Sequence, residues 1–268
     1  MMLTLRDLRP AFARPAYLSD MSWWHGHIPF AFFLLATARP DTLVELGTHK
    51  GDSYMAFCQA VGRFGLSTRC CAVDHWQGDQ TTGGYDEGVY DDLKAVHDPA
   101  YSNFSRLLKT TFTAALSEFP DGSVDILHID GTHTYEAVQA DFRSWLPKLS
   151  RRGVVLLHDV VAYLEGFGVW RLWDELSADH PSLLFAHSAG LGVLAVGDEV
   201  PEPLRSLCSA SEDDQDAARW TFAVLGRALL LEHDPPPAWR KVRRLADLPP
   251  PGEVGLRTRR ILQRCPRW

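Results

Sequence analysis

The 268-residue chain is short of several features, and each absence removes a class of protein. Its five cysteines, Cys58, Cys70, Cys71, Cys208 and Cys265, are odd in number and form no C-x-x-C pair. Neither a disulfide framework nor a zinc knuckle is therefore indicated, and buried thiols are expected. No stretch reaches the roughly 18 uninterrupted apolar residues of a membrane span. Met1 to Ser19 carries Arg6, Asp7, Arg9 and Arg14 where a signal peptide would have an apolar core, so the expectation is a cytoplasmic protein without membrane contact. Internal repeats are also missing. Positive charge is scarce: the net charge is -7, and because the stretch from Pro235 onward carries +7, the remainder carries -14. An acidic body argues against nucleic acid as a partner.

What is present is a chain 46% hydrophobic and 23% charged, enough for one large core. Apolar runs bounded by Gly, Asp and Pro alternate with helical patterns, which predicts β-α-β units and a parallel sheet. Strands are expected at Thr42–Leu46, Cys70–Val73, Arg106–Lys109, Val124–Ile129, Val154–Leu157, Leu183–Phe185 and Val193–Val196. Helices are expected at Ser53–Phe64, stopped by Gly65, at Thr113–Phe119, and at Val169–Ser177. A further helix carries the stripe Val138, Phe142, Trp145 and Leu149. The last two strands lack an intervening helix, with Gly190 and Gly192 turning between them, so the sheet should be mixed, with an antiparallel last strand.

The segment from His75 to about Ser105 is long and polar, so it is either a functional loop or holds short helices, and a lid over a site is the favoured reading. Three regions are expected: an N-terminal helical segment (1–40), a central nucleoside-binding domain (41–197) and a C-terminal extension (198–268). Within the extension, Glu212–Asp214 opens a helix to about Glu232, and the Pro235–Pro237 and Pro249–Pro251 runs mark an extended basic arm, a candidate surface for a homo-oligomer.

Four motifs carry chemistry. Glu45-Leu-Gly47-Thr48-His49-Lys50-Gly51-Asp52-Ser53 joins the first strand to the first helix of the sheet. Its glycines let backbone N–H groups approach a ligand, but their spacing is not the G-x-G-x-x-G of dinucleotide folds. Asp74 closes the second strand, where an acid can accept from both ribose hydroxyls, and His75 and Trp76 follow as pocket candidates. Asp130-Gly131-Thr132-His133 ends the fourth strand and His158-Asp159 the fifth, both at the carboxyl edge where open α/β sheets bind ligands. Asp130, His158 and Asp159 together offer two oxygens and a nitrogen, a partial shell for a divalent cation. Tyr85 and Tyr90 are candidate substrate contacts by loop position, and Trp23, Trp24, His25, His27, Pro29 and Phe30 form an aromatic and His cluster leading into a helix.

With the phrases VELGTHKGDS, AVDHWQGD, ILHIDGTHTYEAVQADFRSWLPKL and GVVLLHDV in order, the segment from Leu43 to about Val196 resembles class I methyltransferases of the group that modifies glycans and glycosylated natural products. The resemblance implies a Rossmann-like fold with S-adenosyl-L-methionine as methyl donor, held by Glu45, Gly47, Thr48, Gly51, Ser53, Asp74, His75, Trp76 and Asp130. It implies methyl transfer to a hydroxyl of a sugar, glycan or small-molecule acceptor. His133 is the expected general base, with His158 as its rival. Sugar O-methyltransferases carry two adjacent acids at the end of strand five; here His158 replaces one of them. Imidazole suits Mg²⁺ poorly, so either the divalent cation is a metal softer than Mg²⁺, or His158 has another task, or no metal binds. The reading from another class is a non-catalytic nucleoside-binding subunit beside a glycosyltransferase or biosynthetic assembly, which would bind the donor without turning it over. An NAD-dependent oxidoreductase is disfavoured by the missing G-x-G-x-x-G.

Overall fold

The computed structural model describes residues 4–79 and 83–233. The expected extended arm, its proline runs and Cys265 lie outside the described residues. The chain divides into two units, residues 1–229 and 230–268. The first holds the sheet, the N-terminal helix and residues 198–229; of the second only 230–233, the end of the last helix, is described.

Seven strands form the sheet: β1 Thr42–Leu46, β2 Arg69–Asp74, β3 Ser105–Lys109, β4 Val124–Ile129, β5 Leu149–His158, β6 Ser182–Phe185 and β7 Leu191–Ala195. They lie in the order β3-β2-β1-β4-β5-β7-β6. The first five are parallel, and β7 is inserted antiparallel between β5 and β6, as the direct β6-to-β7 turn requires. The central strands are near-continuous apolar runs because both faces are covered.

Alternation along the strands sorts the core into two layers. Leu43, Ile126, Val154 and Leu156 face one side, where they meet helices α1 Ile28–Ala38 and α2 Asp52–Phe64. Helix α1 is apolar all round and fully buried at Phe30, Phe32, Phe33, Leu34 and Leu35, as expected of a helix with no solvent face. Each such Phe contributes on the order of 2 kcal/mol of burial. Val44, Leu46, Leu127, Ile129, Val155 and Leu157 face the other side, against Val138, Phe142 and fully buried Trp145. Cys58, Cys70, Cys71 and Cys208 are buried and free.

The structure departs from the sequence pattern at five places. The segment after β2 follows the helical alternative rather than the favoured loop: it holds a short ribbon, Gly78–Asp79 with Gly83–Gly84, and a thirteen-residue helix, α3 Val89–Tyr101. Its buried positions Val89, Leu93 and His97 recur every fourth residue beneath a polar surface, which is why the segment reads as loop. Helix α4, Tyr135–Trp145, ends before Leu149, because Pro147 enforces a 3-10 turn and Leu149 already begins β5. The expected helix at 113–119 is one α-helical turn, Phe112–Ala115, and a 3-10 turn. Gly190 does turn, at φ 94°, but Gly192 lies inside β7, where a Cβ would stand 2.2 Å from the Trp173 ring. Helices α5 Val169–Asp179, α6 Glu202–Cys208 and α7 Glu212–His233 complete the fold, α6 being unexpected.

Candidate active site

Parallel register brings the functional strand ends together. Leu46 pairs with Ile129, and Ile129 with Leu157, so Gly47, Asp130 and His158 follow side by side at the carboxyl edge. Gly47 has φ 85°, and a Cβ there would stand 2.1 Å from the Asp130 carbonyl oxygen, so only glycine lets this loop cross the end of β4. Asp74 fixes the same loop. Its Oδ2 accepts from the Thr48 and His49 amides at 2.9 and 3.0 Å, and its Oδ1 from the Trp76 amide at 2.7 Å. A carboxylate has about four acceptor directions, so these three bonds leave room for about one more.

Beside it lies an Asp–His cluster. His133 Nε2 is 2.7 Å from Asp159 Oδ2 and 3.9 Å from Asp130 Oδ1, with its ring stacked on Phe167 at 4.4 Å. His158 Nδ1 faces both carboxylates, 3.4 Å from Asp130 and 3.3 Å from Asp159, while its Nε2 donates to the Ser188 carbonyl at 3.1 Å. Burial opposes a charged imidazole at His158, yet Asp130 and Asp159 outweigh it and hold the group well above its ordinary value. Burial likewise opposes ionisation of Asp159, but its bonds to His133 and His158 keep its carboxyl below the ordinary range. Donor atoms of Asp130, His133 and Asp159 all lie within 4.8 Å of one another.

The N-terminal aromatic and His cluster forms the roof. Trp24 Nε1 can only donate, and it points at His128 Nε2 at 3.3 Å, so His128 Nδ1–H donates to Glu45 Oε2 at 2.8 Å. His25 is bonded to Asp52 at 2.8 Å, and His27 Nε2 shares the Ser188 carbonyl with His158. His49, Asp159 and Ala189 take left-handed φ values of 48°, 61° and 65° without being glycine. Such backbone strain concentrates where the surroundings hold a site in shape.

Two cavities open here. One of about 250 Å³ is floored by Gly47 to Ser53 and by Asp130, His133, His158 and Asp159, and walled by Trp23, Trp24, Tyr85, Leu164 and Phe167. The other, about 290 Å³, runs past Asp74 and His75 to Thr111, Phe112, Gly131 and Asp141. Gly47, Tyr85, Asp130 and His133 line both.

Residues 44–160 match a family model described as a methyltransferase domain. A Sinorhizobium fredii protein described as uncharacterized, y4gI, is 48% identical over 224 residues, 82% of this chain. The chain spans 24% of the length of that relative. Among solved structures, the O-methyltransferase NovP superposes with a TM-score of 0.51 at 16% identity, over 66% of this chain and 80% of NovP. A Staphylococcus aureus protein proposed to be a caffeoyl-CoA O-methyltransferase gives 0.50 at 13% identity, over 66% and 84%. At these identities the likeness is one of fold: the chain has the Rossmann-like mixed sheet of these proteins.

Around the two cavities the sequence-predicted residues separate into groups. Gly47, Thr48, Gly51, Ser53, Asp130, His133, His158, Asp159 and Tyr85 line the first cavity, and Asp74 and His75 the second. Glu45 lines neither, being fully buried against His128. Trp76 and Tyr90 also stand back: their rings pack together at 4.8 Å, and Trp76 Nε1 donates to the His49 carbonyl at 2.9 Å, bracing the loop. Phe112, Asp141, Leu164 and Phe167 line the cavities without having been predicted. The flanking glycines of Gly166-Phe167-Gly168 were the only signal for any of them.

Proposed function

We propose that the chain is an S-adenosylmethionine-dependent O-methyltransferase acting on a hydroxyl of a sugar, glycan or glycosylated natural product. The observation that carries this reading is the junction of the two cavities at Gly47, Tyr85, Asp130 and His133 within a methyltransferase domain. The donor's nucleoside fits the cavity of Asp74, and its amino-acid end fits the Gly47-to-Ser53 loop. Two features support that fit: the cradle at Gly47 that a Cβ would fill, and Thr48 Oγ1, which is buried and has no hydrogen-bond partner among the described residues. The three amides on Asp74 favour a single ribose hydroxyl bond there rather than two.

When bound, S-adenosylmethionine supplies a methyl group already activated by its sulfonium. The protein's task is alignment and activation of the acceptor. The aromatic walls Trp23, Trp24, Tyr85 and Phe167 suit a flat apolar ring or the face of a sugar. His133, oriented by Asp159 and Phe167, takes the hydroxyl proton as the oxygen–carbon bond forms and the carbon–sulfur bond breaks.

A second reading is favoured by the convergence of Asp130, His133 and Asp159. These three residues would hold a divalent cation, with Asp130 and Asp159 as its oxygen donors, and a bound cation lowers the pKa of an acceptor hydroxyl. With one nitrogen among three donors, the set suits a borderline metal better than Mg²⁺.

The test is transfer of labelled methyl from S-adenosylmethionine to hydroxylated glycan and natural-product fractions, with and without chelator. Transfer that survives chelation supports His133 as base without metal; transfer lost and restored by a divalent ion supports the second reading. Donor binding without turnover on any acceptor would favour the non-catalytic subunit, and no donor binding would overturn both readings.

A further inference from the structure

The far end of the nucleoside cavity has a carboxylate that no other part of the site uses. Asp141 lies on α4 one turn after Ala137, and both line the cavity together with Thr111, Phe112 and Gly131. It is half-buried, and no described residue donates a hydrogen bond or a charge to its side chain. Burial alone pushes its carboxyl up to about 6. An acid in the middle of a helix, beside the core stripe Val138, Phe142 and Trp145, is costly to leave unpaired.

The surroundings define the shape of what would pair with it. The Phe112 ring lies against Gly131 so closely that a Cβ there would stand 2.5 Å from it, and the same point is 3.7 Å from Asp141 Oδ2. An aromatic ring, a bare backbone and a carboxylate thus line one stretch of wall. Such a wall accepts a flat heteroaromatic ring by its face and an N–H donor at its edge.

Resting on the donor reading above, we propose that Asp141 accepts a hydrogen bond from the exocyclic amine of the donor's adenine and so selects an aminopurine nucleoside. Asp74, at the other end of the same cavity, holds the sugar. Asp141 takes no part in the methyl transfer itself and is a specificity residue.

The test compares two ligands by calorimetry: S-adenosylhomocysteine and its analogue with unsubstituted purine in place of adenine, which lacks only the amine. The unaltered chain should bind the analogue about 10- to 100-fold more weakly, the scale of a lost hydrogen bond to a charged group. Asp141→Ala should bind both with the same reduced affinity, and Asp141→Asn, which keeps a carbonyl acceptor, should retain part of the preference. Equal affinities in the unaltered chain, or an intact preference in Asp141→Ala, would overturn the inference. If Asp141→Ala fails to fold, the two-ligand comparison on the unaltered chain and on Asp141→Asn still decides it. Binding of S-adenosylhomocysteine without discrimination overturns this inference alone; no binding at all overturns the donor reading and this inference with it.

Discussion

The two histidines of the cluster differ in their surroundings and in their access to the cavities. His158 is wedged between the Asp130 and Asp159 carboxylates with its other nitrogen on the Ser188 carbonyl, an arrangement that stabilises imidazolium. His133 lies against Asp159, stacks on Phe167 and lines both cavities, whereas His158 lines one. His133→Ala is therefore expected to lower the methyl-transfer rate about 10²- to 10⁴-fold while leaving S-adenosylhomocysteine affinity nearly intact. Single-turnover kinetics and calorimetry check the two halves separately. If His133→Ala keeps its rate and His158→Ala loses it, the base is His158.

Among the elements, α4 does most to place the cluster, since it follows directly on Asp130 and His133. Thr134 caps it, its side chain accepting from the Ala137 amide. Thr134→Ala should cost about 1 kcal/mol in urea unfolding, and Thr134→Ser far less. The turn entering α1 makes a different contribution. His27 is fully buried, and burial, with His158 and His187 adding to it, holds it well below its ordinary value of 6.5. His27 is thus neutral in the folded chain, while the unfolded chain binds its proton below about 6.5, so folding stability falls as pH drops through that range. Melting temperatures of His27→Gln should depend less on pH between 7 and 5 than those of the unaltered chain; an unchanged slope would show that His27 contributes nothing to acid sensitivity.

How far these elements were legible in sequence follows from the kind of signal each one leaves. Strands buried on both faces are contiguous apolar runs, so Thr42–Leu46 and Val124–Ile129 were legible to the residue. Strand ends therefore located Asp74, Asp130 and Asp159 at the carboxyl edge of the sheet. Helix α3 was hidden because only three of its thirteen residues are buried. Asp141 was hidden for a related reason: a stripe of apolar positions says which face meets the sheet and nothing about which neighbour lines a cavity. Phe167 reaches His133 from a loop whose path depends on Gly168 packing against Tyr135, a contact without periodicity.

At the scale of the molecule, charge and site are separated along the chain. Every residue lining the two cavities falls between Met21 and Ala189, whereas the basic stretch begins after Pro235. The core that positions the cavities closes within the first unit: Phe222 on α7 packs on Phe30 and Phe33 at 5.3 Å each, joining the last helix to the N-terminal one. Among the described residues, no helix is long and apolar enough to cross a membrane. These facts predict that a chain ending at His233 folds and binds S-adenosylhomocysteine with the affinity of the full chain. Removing residues 234–268, which carry nine Lys or Arg against Asp234, Asp247 and Glu253 and so +6, should change elution on an anion exchanger and any self-association seen in sedimentation, without changing calorimetric affinity. A truncated chain that folds, by circular dichroism, yet binds the nucleoside tenfold or more weakly would place part of the donor site in residues 234–268, and the division of labour argued from the cavities would be wrong.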